Sequence, residues 1–171
     1  MNELQVGIAR NSITPVEEGL ETQLSGYGDR AGKPAEGVHD TLNAKAMVFS
    51  RGDARCALVA LDVGHVPRSL VEEAVARAGV DGLDFDHVMF SATHTHAGIE
   101  GMSMDRRNVI GNPHIGVFDE AVLDFTAERT AHALREAAAA RQPVHAGVGA
   151  AALPGMNRNR RKNSTLVDPD M

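Results

Sequence analysis

The spacing of apolar and polar residues changes character several times along the chain, and each change predicts an element. Leu4 to Ile13 mixes β-branched and small residues and closes at Thr14-Pro15, where proline pushes the residue before it toward extended backbone; a first strand is expected there. Two short apolar runs, Asn43 to Phe49 and Arg55 to Val63, flank Ser50-Arg51-Gly52-Asp53, the pattern of a hairpin with a glycine-containing turn. Cys56-Ala57-Leu58-Val59-Ala60-Leu61 has no polar position, which suits a central strand covered on both faces. His87 to Ala92 reads as another short buried strand, and Val144 to Ala151 as a further one.

Helical spacing is confined to two segments. Between Pro67 and Ala78 the apolar residues fall at 70, 71, 74, 75 and 78, with proline where a first turn tolerates it and Gly79 as the stop. Val117 to Ala140 is the longest periodic stretch: Val122, Phe125, Ala133 and Leu134 lie on one stripe, with Glu120, Glu128, Arg129, Arg135 and Glu136 mostly outside it. Between strand and hairpin, Gly19 to Gly37 is a loop rich in glycine, in which Gly26-Tyr27-Gly28 reads as a tight backbone passage lying over something. Strands interleaved with helices predict an α/β fold, a mixed sheet with flanking helices.

Composition narrows the function. With 171 residues and 43% hydrophobic content, the chain is long enough for one domain with a real core. A formal net charge of -6 argues against a nucleic-acid partner, which requires a basic surface to displace counterions from phosphates. No apolar run approaches the roughly 18 residues that a membrane span needs, and the first residues lack the basic and apolar regions of a secretory leader, so a cytoplasmic location is the simplest expectation. Cys56 is the only cysteine, which excludes an intrachain disulfide and a multi-cysteine zinc site. A metal here must be held by His, Asp or Glu.

The predicted strand 87–92 runs directly into Thr93-His94-Thr95-His96, and the carboxyl end of a strand is where an open α/β sheet places functional residues. Two histidines two positions apart, if they continue the strand, point to one side of the sheet, as two metal ligands or a ligand and its neighbour must. The competing reading is a hydrogen-bonded histidine pair with no metal. Asp62, at the end of another predicted strand, is a candidate partner that would orient a metal-bound imidazole, or a capping acid. His39 and Asp40 are placed to share the same mouth; His65 follows Asp62 closely. Asn157-Arg158-Asn159-Arg160-Arg161-Lys162 is either a solvated basic loop or a clamp of guanidinium and amide donors for an anion or a developing oxyanion.

In order along the chain, Val6-Gly7-Ile8-Ala9-Arg10-Asn11-Ser12-Ile13-Thr14-Pro15, Gly26-Tyr27-Gly28, Gly37-Val38-His39-Asp40, Ala60-Leu61-Asp62-Val63-Gly64, Ser91-Ala92-Thr93-His94-Thr95-His96-Ala97-Gly98 and Asn157-Arg158-Asn159-Arg160 resemble blocks of the neutral, non-lysosomal ceramidases. The resemblance spans essentially the whole chain and implies that residues 1–171 are the N-terminal, incomplete part of a larger catalytic domain. It implies a zinc-dependent hydrolase that cleaves the amide between a fatty acyl group and a sphingoid base, so a small-molecule or lipid amide is the expected partner. By the same resemblance His94 is a zinc ligand, His96 a catalytic neighbour and Arg160 a pocket residue at the scissile amide. Arg158 and Asn159 are then expected to bind substrate. The family's other ligands, a histidine, a glutamate and a tyrosine, lie further along a longer chain, so the segment alone is expected to bind zinc weakly and not to be a competent hydrolase. Two positions depart from the family pattern: Ile99-Glu100 stands where proline and glycine are usual, and Arg161-Lys162 replaces smaller residues.

Two other readings compete. An amidohydrolase-type barrel also carries an H-x-H at a strand end, but soon after its first strand, whereas here three predicted strands and a helix come first. The other is a non-catalytic domain with a structural histidine pair.

Overall fold

A computed structural model describes residues 3–152, 154–155, 159 and 161. Its strands are β1 (Gln5–Ser12), β2 (Asn43–Arg51), β3 (Ala54–Leu61), β4 (Val88–Ala92) and the short β5 (Gln142–Pro143); its α-helices are α1 (Arg68–Ala78) and α2 (Glu120–Ala139). The strands form one sheet in the order β4-β3-β2-β1-β5. The β1–β2 and β2–β3 pairs are antiparallel, β3–β4 is parallel, and β5 pairs antiparallel with β1, so the sheet is mixed as the sequence predicts. Arg51 pairs with Ala54, which leaves Gly52-Asp53 as the hairpin turn, with Gly52 in the left-handed region that such a turn requires.

One face of the sheet carries the core. Ala44, Ala46, Val48, Ala57, Val59 and Leu61 are buried there against Leu70 and Ala74 of α1 and Val122, Leu123, Ala127 and Leu134 of α2. Small residues at this interface let α2 lie close to the strands. At Gly7 of β1 the approach is absolute: a Cβ there would sit 1.9 Å from the carbonyl oxygen of Ala137. The helix ends follow local chemistry. Asp119 caps α2 by accepting from the N–H groups of Ala121 and Val122, at 2.9 and 3.3 Å, which starts the helix three residues later than its apolar periodicity does. Gly79, left-handed, closes α1 through its N–H to the Val75 carbonyl.

The opposite face differs from expectation. In register across four strands stand Ile8, Met47, Leu58 and Met89. Ile8, Leu58 and Met89 are 64%, 46% and 64% exposed. The continuous apolar run in β3 therefore belongs to a strand covered on one face only among the described residues. Val144 to Ala151 is also not a strand. Pairing stops at Gln142–Pro143 with one further hydrogen bond from the Val144 N–H to the Leu4 carbonyl; beyond it Val148 is fully exposed, so that alternation has no surface to pack on among the described residues.

Between β4 and α2 the chain is tied down by Asp105, 8% exposed. Its carboxylate accepts from the Ser69 hydroxyl at the start of α1 at 3.2 Å, and from the Arg107 backbone and guanidinium at 2.9 to 3.0 Å. Arg106 next to it pairs with Glu73 of α1 and Glu120 of α2, and Arg77 joins Glu73 to Asp124. The Arg107 guanidinium, first among several donors, holds the Asp105 carboxyl down at about 2 against an ordinary 3.8.

Two stability outcomes are expected. Leu61→Ala, at a site with 0% exposure, should cost about 2–5 kcal/mol by chemical denaturation, and Leu58→Ala on the open face of the same strand under about 1 kcal/mol; equal costs would contradict the one-sided core. A carboxyl depressed by folding stabilises above its unfolded value and loses that contribution as pH falls toward its folded one. Asp105→Asn should therefore cost about 1–2 kcal/mol at pH 7, discounted for the largely exposed Arg107, and almost nothing near pH 2.

Candidate functional site

The histidine segment begins where regular pairing ends. The Thr93 N–H still donates to the Leu61 carbonyl at 2.9 Å, and the next residue, His94, leaves the sheet with φ of 59°. A histidine in this left-handed region is strained relative to glycine and persists only where its surroundings fix it. The fixing contact is a hydrogen bond from His94 Nδ1 to the Gly64 carbonyl, 2.5 Å long, just beyond the end of β3. A carbonyl can only accept, so Nδ1 carries the proton and the lone pair is left on Nε2, the state an imidazole must have to bind a metal.

The two imidazoles converge, but not through strand alternation. Because His94 is left-handed, the loop rather than the pleat brings the rings together, with Nε2 to Nε2 at 3.4 Å, centroids 4.9 Å apart and planes at 85°. The 3.4 Å separation places His96 Nε2 beside any ion held by His94 Nε2, close enough to meet a group bound to that ion. The donor set suits zinc in kind, although among the described residues no three His, Cys, Asp or Glu side chains form a metal-holding group. Thr95 turns to the other side. Its hydroxyl accepts from the Ala97 N–H at 3.2 Å, and with Ala97 and Gly98 it walls a largely apolar groove of about 480 Å³.

The remaining candidates distribute around this pair. Asp62 sits at the end of β3, but its carboxylate accepts from the Asn43 N–H at 3.0 Å and pairs with Lys45 at 3.2 Å; no hydrogen bond joins it to either histidine. His39 and Asp40, bonded to each other at 2.7 Å, line the apolar groove. His65 stands 3.7 Å from Glu100. Asn159 accepts the Arg161 N–H at 2.9 Å in a local turn, while Arg158 and Arg160 lie outside the described residues. His87, His114 and His132 are occupied by Asp84, the Gly28 carbonyl and Asn11.

Sequence reasoning missed the two groups that set the pair. The Gly64 carbonyl has no side-chain signature, and the interest of Asp62-Val63-Gly64 seemed to lie in its acid. Glu100 was visible only as a departure from the family pattern, yet it is a buried carboxylate beside the loop. The glycine-aromatic loop does lie over something: the Tyr27 ring meets that of His96 edge-on at 6.0 Å.

With the site described, comparison with known proteins is direct. The family model for neutral/alkaline non-lysosomal ceramidase, N-terminal, matches residues 4–171. Neutral ceramidase of Pseudomonas aeruginosa is 30% identical over 96% of this chain and 24% of its own length. The crystal structure of neutral ceramidase from Pseudomonas aeruginosa superposes with a TM-score of 0.80 at 22% identity, covering 99% of this chain and 29% of that one. A structure of ceramidase complexed with C2 gives 0.78 at 22% identity, covering 99% and 28%. The chain thus spans about a quarter of the length of these relatives.

Because Asp62 is bonded to Lys45 rather than to an imidazole, Asp62→Asn should leave the ring resonances of His94 and His96 in place in nitrogen-detected NMR, while lowering stability by about 1 kcal/mol through the weakened Asn43 and Lys45 contacts. A shift confined to the histidines would make Asp62 a partner of the pair.

Proposed function

The chain belongs to the neutral/alkaline non-lysosomal ceramidase family, and on that footing we propose that it supplies part of the catalytic centre of a zinc-dependent hydrolase of N-acyl amides, N-acylsphingosine or a related lipid amide. The observation that carries the reading is the pair of Nε2 atoms 3.4 Å apart, with His94 locked by Gly64 into the tautomer that frees its Nε2.

In this reading His94 Nε2 holds the ion and the Gly64 carbonyl keeps the ring aimed. A bound zinc would polarise the amide carbonyl and make water nucleophilic at neutral pH. His96 Nε2, facing the same point, accepts a proton there and returns it to the departing amine, the task for which an imidazole is suited near neutrality. Its edge contact with Tyr27 limits where the ring can turn. The Arg158, Asn159 and Arg160 segment is assigned to the substrate, its guanidinium and amide donors being suited to hold an acyl oxygen. The apolar groove beside Thr95 and Gly98 offers a neighbouring surface for an apolar substituent. The remaining zinc ligands are expected from elsewhere in a longer protein, as the quarter-length match to the relatives suggests.

A form extended to the relatives' length should contain near-stoichiometric zinc by elemental analysis and release fatty acid from N-acylsphingosine. His94→Ala should abolish the metal and reduce hydrolysis by at least about a hundredfold, the worth of a few kcal/mol of transition-state stabilisation. Zinc retained in the mutant, or no zinc in either protein, would return the histidines to a hydrogen-bonded structural pair.

A further inference from the structure

Glu100 is 7% exposed and follows the histidine segment by only a few residues, yet its polar partners include neither His94 nor His96. Its oxygens divide their work. Oε1 accepts from the Met102 N–H at 3.3 Å, which caps the turn Gly101–Met104. Oε2 crosses to the glycine-aromatic loop and accepts from the Gly26 N–H at 3.0 Å. His65 Nδ1 lies 3.7 Å from Oε1 on the solvent side. A buried carboxylate that receives two backbone N–H groups from segments far apart in sequence is a fixed point, since moving either segment would leave charge uncompensated.

What that fixed point supports is the ring of His96. Gly26 has φ of 72°, and a Cβ built on it would lie 2.4 Å from both Cε1 and Nδ1 of His96, so the bare α-carbon is the back wall against which the imidazole rests. Neighbouring bonds strap the same two segments together: the Ser25 N–H donates to the Gly98 carbonyl at 3.1 Å and the Glu100 N–H to the Gln23 carbonyl at 2.9 Å. These hold the backbone. The Glu100 carboxylate holds Gly26, whose α-carbon lies behind the ring.

We propose that Glu100 is a positioning residue: through the Gly26 N–H it sets the wall behind His96 and so keeps His96 Nε2 facing His94 Nε2. The inference rests on the metal-centre reading of the pair for its consequence, but not for its geometry. A wall displaced by an ångström lets the His96 ring rotate away while His94, held independently by Gly64, stays where it is.

The test uses the 171-residue chain and follows the ring nitrogens and protons of both histidines by NMR, before and during titration with zinc. In the unmutated chain zinc should move the signals of both histidines. In Glu100→Ala the His96 signals should already be displaced without metal. Zinc should still bind at His94, with affinity within about threefold, but should perturb His96 far less. Glu100→Gln, which keeps an oxygen for the Gly26 N–H, should restore most of the His96 response. The proposal is overturned if Glu100→Ala leaves His96 at its original position, or if both histidines and the fold are disturbed alike in Ala and Gln variants. Should Glu100→Ala fail to fold, Gly26→Ala presses on the ring directly; an unmoved His96 there overturns the proposal as well. If zinc binds to no form of the 171-residue chain, the metal-free His96 signals still decide the role of Glu100, and the metal-centre reading is decided by the extended protein.

Discussion

The arrangement at the end of β4 depends on one hydrogen bond, from His94 Nδ1 to the carbonyl of Gly64. It joins the carboxyl ends of two adjacent parallel strands through one side chain and so stabilises a left-handed histidine that the backbone alone would disfavour. It also settles the tautomer. Without it the proton could sit on His94 Nε2, and that nitrogen would have no lone pair to offer a metal. The parallel β3–β4 pairing is what brings Gly64 and His94 together, because the two strands end at the same edge.

The rest of the fold serves to make that edge rigid. α1 connects the two parallel strands, α2 presses on β1 with no side chain between them at Gly7, the Asp105 and Arg106 contacts bind the loop after the histidines to both helices, and Arg77 ties the helices to each other. Helices cover one face; the other presents Ile8, Leu58 and Met89. The site lies at the end of the sheet, where neither face has to be opened to reach it. The glycine-rich loop folds back over the same edge and places Tyr27 and Gly26 around His96.

Much of this architecture could be read from spacing. Periodicity located α1 and α2 to within three residues, and Gly52 and Thr14-Pro15 marked real turns. Local pattern misled where the answer depended on what lies across from a segment. The β3 run looks two-sided because alanine, leucine and valine are apolar wherever they point, and the alternation in 144–151 meets no partner strand among the described residues. At the site the histidine block was legible because its residue types carry their chemistry. Asp62 drew interest for the same reason, but its neighbours Lys45 and Asn43, brought beside it by the β2–β3 register, engage it instead. The groups that aim the imidazoles, a carbonyl oxygen, an α-carbon without a side chain and a carboxylate acting through a backbone N–H, leave little trace in a sequence read one residue at a time.

The central claim is that His94 and His96 face one metal ion through their Nε2 atoms. Anomalous diffraction at the zinc edge from crystals of the chain grown with zinc addresses it without reference to any substrate. The account predicts a zinc peak about 2.0–2.1 Å from His94 Nε2, on the side facing His96, with the His94 Nδ1 to Gly64 bond intact. A zinc bound through Nδ1, or peaks only at other side chains while the two Nε2 atoms keep their mutual hydrogen bond, would contradict it.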